Sequence, residues 1–581
     1  MNPVGLPAAV VANDGEPSGV TVIVSHLGYG SSAPKAAIVA APQGTDVSSA
    51  RLVMRETILP LRVGPAQPVS GWGTVEYRRI DLSQVAHDGT YRLEVDAGGV
   101  TKTATVVIGA DRLARVAVAD IAAAFRAARS SGEIDRKDAH AKFYDDDSGA
   151  EVDARGGWLD ASGDYSKFLS HLTYTRTMSP QQIPLCAWAM MAAHDELAAR
   201  HAGFVTSQRT RLRDEALFGA DFLMRFRSRA GYFYTAIFDA LTKELDERVI
   251  TAPLQDSVRT RRWQAAFRHG GGLAVAALAR ASTLNDHGEH SGEQYLEAAR
   301  DAFDHLDAHN EDYLFDGSES VVDDYCALLA AVELVAADGD PRFVEAARRR
   351  VRSLCARWRK DVSGVGYLVG DHLGRPYFHA VESGLPVIAL VRFATVLPAD
   401  ALAVEARALA VEIMSAWSVR TDSIPNPFGY PRQLVHDEHA DGPREAFFFP
   451  HDNETGYWWQ GENANLASIS VAASLVAELP ECVPDLRARL RVLAADCLAW
   501  IGGLNPFDAC MLQGRGHRNV EYLGEYQNSP GAIVNGVTSH PFDEDGIAFL
   551  PHDAAPGEEW RWAEQWIPHS AWFLLGVCTA P

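Results

Sequence analysis

Val344-Glu345-Ala346-Ala347-Arg348-Arg349-Arg350-Val351-Arg352-Ser353-Leu354-Cys355-Ala356-Arg357-Trp358 places Val344, Ala347, Val351, Leu354 and Trp358 three, four, three and four residues apart, with Arg348, Arg349 and Arg352 on the other side. That period gathers the apolar side chains on one helix face. Leu212, Ala216, Ala220 and Leu223 do the same. From about residue 113 the spacing predicts twelve helices, starting near residues 116, 180, 207, 258, 292, 321, 341, 383, 400, 461, 484 and 564. No strand–helix alternation and no 30–45-residue repeat interrupts them, which predicts six helical hairpins closed into an (α/α)6 barrel rather than an open solenoid.

The segment before the helices differs in kind. Tyr91, Leu93 and Val95 alternate with Arg92 and Glu94, the period of a half-buried strand. Similar runs start at Thr21, Ala37, Leu52, Val75 and Thr103, with Gly89-Thr90 and Gly98-Gly99 as turns. The expectation is two domains, a small all-β sandwich over 18–110 and an all-α barrel over 113–581.

Composition narrows the function. The 581 residues carry 53 Lys+Arg against 76 Asp+Glu, a net charge of −23, with 47% hydrophobic and 22% charged residues. These shares exclude global disorder. The acidity argues against nucleic acid as a partner, since phosphate binding needs a basic face. No apolar run is long enough for a membrane span. Met1 to Pro17 shows no cationic segment leading into an apolar one, so the expectation is a cytoplasmic protein. Seven scattered Cys predict buried thiols, and without HExxH or a Cys/His cluster neither a catalytic metal nor another cofactor is expected. His269-Gly270-Gly271-Gly272 lacks the lysine and strand of a phosphate loop and reads as close helix packing.

Three connections, 130–179, 418–460 and 503–563, exceed ordinary helix–helix links and are rich in aromatics and carboxylates, among them Tyr165, Trp458, Trp459, Tyr522 and Tyr526. In Gly156-Gly157-Trp158-Leu159-Asp160-Ala161-Ser162-Gly163-Asp164-Tyr165-Ser166-Lys167, two carboxylates four residues apart sit in a glycine-containing turn. Held together, they suit a base that activates water; a plain Asp-rich turn or a calcium loop reads equally from spacing alone. Glu564 lies among Trp560, Trp562 and Trp566 at the expected start of the last helix. An aromatic pocket keeps such a carboxyl protonated as an acid, whereas a helix start alone merely favours a Glu.

These stretches resemble family 9 glycoside hydrolases across nearly the whole chain, which implies an immunoglobulin-like all-β sandwich followed by an all-α (α/α)6 barrel. Ser25-His26-Leu27-Gly28-Tyr29 with Pro34-Lys35 is similar to the opening of their N-terminal domain. The segment Gly157 to Lys167 resembles the GGWxDAGDYxKY base motif, and Glu564 with Ser570-Ala571 resembles the NExxxxxNA acid motif. Asn426-Pro427-Phe428-Gly429-Tyr430-Pro431 and Pro530-Gly531-Ala532-Ile533-Val534 have counterparts too. There are departures: Ser162 is extra, Ala563 and Ser570 replace Asn, and PHHR is reduced to Gly516-His517-Arg518. Asp160-Ala161-Ser162-Gly163-Asp164 and Trp562 to Pro568 look most like the exo-β-D-glucosaminidase branch.

The resemblance implies an inverting β-glycosidase acting on an oligosaccharide, with Asp164 as base, Asp160 as its partner and Glu564 as acid. Trp158, Tyr165, Trp458, Trp459, His517, Arg518, Trp562 and Trp566 are the candidate sugar contacts. Exo-cleavage of terminal glucosamine requires a carboxylate for the amine, and Asp323, Asp324, Glu382 and Glu454 are available. An endo-β-1,4-glucanase, another exo-β-glycosidase of the family, and a sugar-binding or epimerase-like barrel are the alternatives.

Overall fold

The computed structural model describes residues 19–201, 206–522 and 528–580. Tyr526 lies outside them. Nine strands come first: β1 (Thr21–Ile23), β2 (Tyr29–Gly30), β3 (Ala36–Pro42), β4 (Val47–Met54), β5 (Thr57–Leu61), β6 (Gln67–Pro68), β7 (Val75–Asp81), β8 (Gly89–Ala97) and β9 (Val100–Gly109). They form two sheets, ordered β1-β3-β7-β6 and β2-β9-β8-β4-β5. Tyr91, Leu93 and Val95 face the core between the sheets, as their alternation predicts.

Among the described residues, twelve helices of 11 residues or more follow. They are α1 (Arg112–Ala127), α2 (Ile183–Arg200), α3 (Thr206–Arg225), α4 (Gly271–Ala281), α5 (Gly292–Tyr313), α6 (Val321–Asp338), α7 (Pro341–Arg357), α8 (Leu385–Val396), α9 (Ala403–Thr421), α10 (Asn463–Ala477), α11 (Pro484–Ile501) and α12 (Ile567–Thr579). The even-numbered helices contact one another in a closed ring, α2-α4-α6-α8-α10-α12-α2, and the odd-numbered ones pack outside. Burial follows rank: all of α12 is buried, whereas α7 buries one stripe, Phe343, Ala346, Ala347, Val351 and Leu354. Gly272 permits the close approach of α4 to α6, since a Cβ there would meet the Cys326 backbone at 2.9 Å.

The helix expected near residue 258 is displaced. Val249–Pro253 and Arg259–Thr260 instead pair as strands, extending a sheet that begins at Lys167–Phe168 and Ala236–Phe238, and α4 starts only at Gly271. Glu564 also does not open α12: its backbone is extended (φ −66°, ψ 138°), between the short helix Trp560–Ala563 and Ile567.

The two units share one core. Ile23, Leu27, Ile38, Trp72 and Tyr77 belong to the barrel's apolar cluster. Trp72 packs against Phe447 at 4.9 Å and Trp500 at 5.8 Å, and Arg79 reaches Asp496 at 2.7 Å and the Pro427 carbonyl at 2.9 Å. The 426–431 motif therefore serves the junction.

Candidate active site

The inner helices all start at one end, and side chains just before or within their first turns stitch that end together. The Gln181 N–H donates to Glu382 at 3.1 Å, Ser383 N–H to Asn465 at 3.0 Å, and Ala464 N–H to His569 at 2.7 Å. Here the turn Asp160–Asp164 lies against the segment Glu564–Trp566. The Ser162 N–H donates to the Gln565 carbonyl (2.8 Å), and Gln565 N–H returns a bond to Ser162 Oγ (2.9 Å). The far edge of the Glu564 strand pairs with Asn535, whose N–H reaches the Glu564 carbonyl at 2.8 Å. Gly163 sits directly under the acid: a Cβ there would lie 2.8 Å from Glu564 Oε1 and 3.0 Å from the Tyr522 ring.

Three carboxyl groups thus meet, Asp160 and Asp164 buried and Glu564 partly exposed, and their partners differ. Asp160 is pinned, because Gln182 and the indole N–H of Trp566 (2.9 Å) both donate to its Oδ1. Among the described residues Asp164 is held by Ser166, whose N–H donates to its Oδ1 at 2.8 Å. Burial raises all three. Asp160 is pushed well up by burial and by its neighbours Asp164 and Glu564. Burial brings Asp164 to about 6, with Ser166 opposing. Burial and the charge of Asp164 take Glu564 to about 8, against the hydrogen bonds of Asn535 and the Gly163 N–H. Around neutral pH this leaves Asp164 ionised and Glu564 protonated, the two states that base and acid require.

Beneath the turn lies a buried ionic knot. Lys167 Nζ stands 2.7 Å from Asp138 and donates to the carbonyls of Ala154 (2.6 Å) and Gly156 (2.9 Å). Arg248 grips both Asp138 oxygens (3.0 and 2.9 Å) and donates to the Tyr165 carbonyl at 2.7 Å. The hydrogen bonds of these cations go to structure, and neither pairs directly with the three carboxyl groups, although Arg248 is near enough to favour ionisation of Asp164.

The chain's match to the family model "Glycosyl hydrolase family 9" spans residues 115–525, most of the barrel. The chain belongs to glycoside hydrolase family 9. It is a glycosidase built on that family's immunoglobulin-like domain and (α/α)6 barrel. Similar solved structures include a metagenome-derived family 9 endoglucanase (17% identity, 97% of this chain and 99% of that one, TM-score 0.63), Bacteroides ovatus GH9 (16%, 96% and 98%, 0.62) and endoglucanase J30 (16%, 95% and 99%, 0.63). Identities this low speak for the fold. No curated protein matches the chain in sequence.

The other sequence candidates divide. Trp566 and Trp458, edge-on at 5.8 Å, stand beside Asp160, and half-buried Tyr165 lines an apolar cavity of about 140 Å³ behind the turn. Trp459 is sandwiched between His451 (3.7 Å) and Arg561 (4.0 Å), with Trp562 buried edge-on to it. Trp158 is not a sugar contact: it is fully buried between Phe125 and Phe218, its indole N–H on Glu215 at 2.8 Å. His517 and Arg518 hold Asp508 at the domain junction, where His517 also stacks on His26. The ligating atoms of His26, Asp508 and His517 lie within 4.8 Å of one another, but the carboxylate is already shared between both rings.

None of the proposed amine-binding acids is free. Asp323 caps α6 and pairs with Arg268 (3.3 Å), and Asp324 pairs with Arg350 (3.0 Å) and Arg357 (2.6 Å). Glu454 caps the backbone of Arg176 and Thr177, both at 2.8 Å. Glu382 accepts the Tyr325 hydroxyl at 2.6 Å, and burial lifts it to about 8. The acid that sequence reading missed is Asp239, 1% exposed, with Oδ2 unpartnered among the described residues.

Proposed function

We propose that the chain is an inverting exo-β-glycosidase that removes glucosamine from the ends of short chito-oligosaccharides. Glu564 protonates the leaving oxygen, Asp164 deprotonates the attacking water, and Asp160, fixed by Gln182 and Trp566, orients that water. The observation that carries this reading is a pair of carboxyl groups poised on opposite sides of neutrality, about 6 and about 8, with the acid lying over Gly163, the residue next to the base.

The shape of the site supports exo action. None of the 13 tryptophans is exposed, so no row of open indole platforms runs along the surface. The charge of the site supports an amino sugar. Among the described residues no Lys, Arg or His pairs with Asp160, Asp164 or Asp239, although all three are buried.

A second reading, an endo-acting β-glucanase, is favoured by two of the similar structures being endoglucanases. Product analysis separates the two on chitosan and cello-oligosaccharides, with anomers followed by NMR. Monomer released as the α-anomer supports the proposal. Internal fragments would transfer the assignment to the endo reading, and β-anomer at early times would sink inversion.

A further inference from the structure

Asp239 reaches the site through strand pairing. Lys167 lies opposite Ile237 and Phe168 opposite Ala236, so continuing the ladder carries Asp239 back alongside the turn that holds Asp164. The two are close enough for Asp239 to oppose ionisation of Asp164. Its Oδ1 accepts the Leu241 N–H (2.9 Å), and its carbonyl accepts both the N–H (3.2 Å) and the hydroxyl (2.8 Å) of Thr242. Ala240 and Leu241 are both left-handed, at φ 55° and 60°, a conformation costly for residues with a Cβ. The chain thus accepts local strain in the loop that holds this carboxylate. Its other oxygen, Oδ2, is buried with no partner among the described residues, a costly state for a charged group unless a ligand supplies one.

We propose that Asp239 is the specificity residue of this site, and that its free oxygen receives the ammonium of a 2-amino-2-deoxy sugar whose anomeric carbon faces Asp164. The inference rests on the glycosidase reading above. C2 is bonded directly to the anomeric carbon, so its substituent is well placed to meet a side chain beside the base. A neutral hydroxyl would bond the same oxygen but leave its charge uncompensated. Arg248, the nearby cation that favours ionisation of Asp164, is already committed to Asp138 and Tyr165.

The test compares the full chain and Asp239→Asn on p-nitrophenyl β-D-glucosaminide and β-D-glucoside. Wild type prefers the glucosaminide, and the variant lowers the ratio of the two kcat/KM values by about tenfold or more, mainly through KM. An unchanged ratio overturns the role of Asp239 alone, and no wild-type preference with inverting hydrolysis intact overturns the amino-sugar reading with it. Hydrolysis of neither glycoside, or hydrolysis with retention, instead overturns the underlying reading. Should the variant fail to fold, inhibition of wild type by glucosamine and by N-acetylglucosamine decides. Inhibition by the cationic sugar only supports the proposal; equal inhibition refutes it.

Discussion

Replacing Lys167 by Met removes the cation that anchors the base turn while keeping most of the side chain's volume. In the folded chain its ammonium is fully buried, 2.7 Å from Asp138 and bonded to two carbonyls, of Ala154 and Gly156. Breaking a buried pair costs about 3–5 kcal/mol. The lower part of that range applies to the pair itself, because Arg248 still holds both Asp138 oxygens, and the two carbonyls left without a donor add to it. About 4 kcal/mol is a fair total. At roughly 2.1 cal/mol/K per residue, 581 residues have an unfolding entropy of about 1.2 kcal/mol/K, so Tm falls by only about 3 °C. The local effect is larger than that shift suggests. Lys167 stands three residues after Asp164, and its loss frees the strand that positions the base, so kcat should fall at least about tenfold while KM changes little. Calorimetry and steady-state kinetics on an aryl glycoside read both quantities. Wild-type kcat with an unchanged Tm would refute the anchoring role, and a rise confined to KM would place Lys167 in substrate binding instead.

The pH profile of kcat/KM should be bell-shaped with limbs near 6 and 8, for ionisation of Asp164 and of Glu564; a profile still rising at pH 9 would contradict this assignment. Glu564→Gln should abolish the alkaline limb and lower kcat by about 10²–10⁴ on natural oligosaccharides, but less on nitrophenyl glycosides, whose leaving group needs little protonation. The same change should stabilise the fold. Because the folded acid lies at about 8 and the unfolded one near 4.3, wild-type stability falls as pH rises between those values, so removing the carboxyl should stabilise the fold by about 3 kcal/mol or less at pH 8 and not at pH 4, which thermal unfolding at the two pH values reads. Trp158→Phe should cost about 1–3 kcal/mol through the lost bond to Glu215 and leave kcat near wild type; a large loss of turnover would return Trp158 to the site.

Most of the fold was legible because its elements are periodic. Tyr91–Val95 alternates and becomes β8; Val344–Trp358 repeats every 3.6 residues and becomes α7. The helix misplaced near residue 258 failed where structure depends on partners distant in sequence. Val249–Pro253 is a strand because it pairs with Ala236–Phe238, which pairs in turn with Lys167–Phe168, and no local pattern encodes such a ladder. Asp239 was missed for the same reason, since its importance comes from lying across that ladder from the base turn. Trp158 misled in the opposite direction: an indole beside two carboxylates reads as lining, but the backbone aims it between α1 and α3.

The third residue between the two aspartates shows how an apparent departure is absorbed. An added residue in a turn that positions a catalytic pair would displace one member unless something holds the turn. Here Ala161 and Asp164 close the turn on each other, N–H to carbonyl in both directions at 3.3 and 3.2 Å, so Ser162 and Gly163 project as its tip. Ser162 then donates its N–H to the Gln565 carbonyl and accepts the Gln565 N–H on its Oγ, adding a rung between the base turn and the strand that carries Glu564. Gly163, lacking a Cβ, lets that strand close down until the acid rests on the turn itself. The extra serine is therefore a tie rather than a slack loop. It fixes base and acid to one another through backbone hydrogen bonds, which hold geometry more tightly than the flexible side chains of Asp164 and Glu564 could alone.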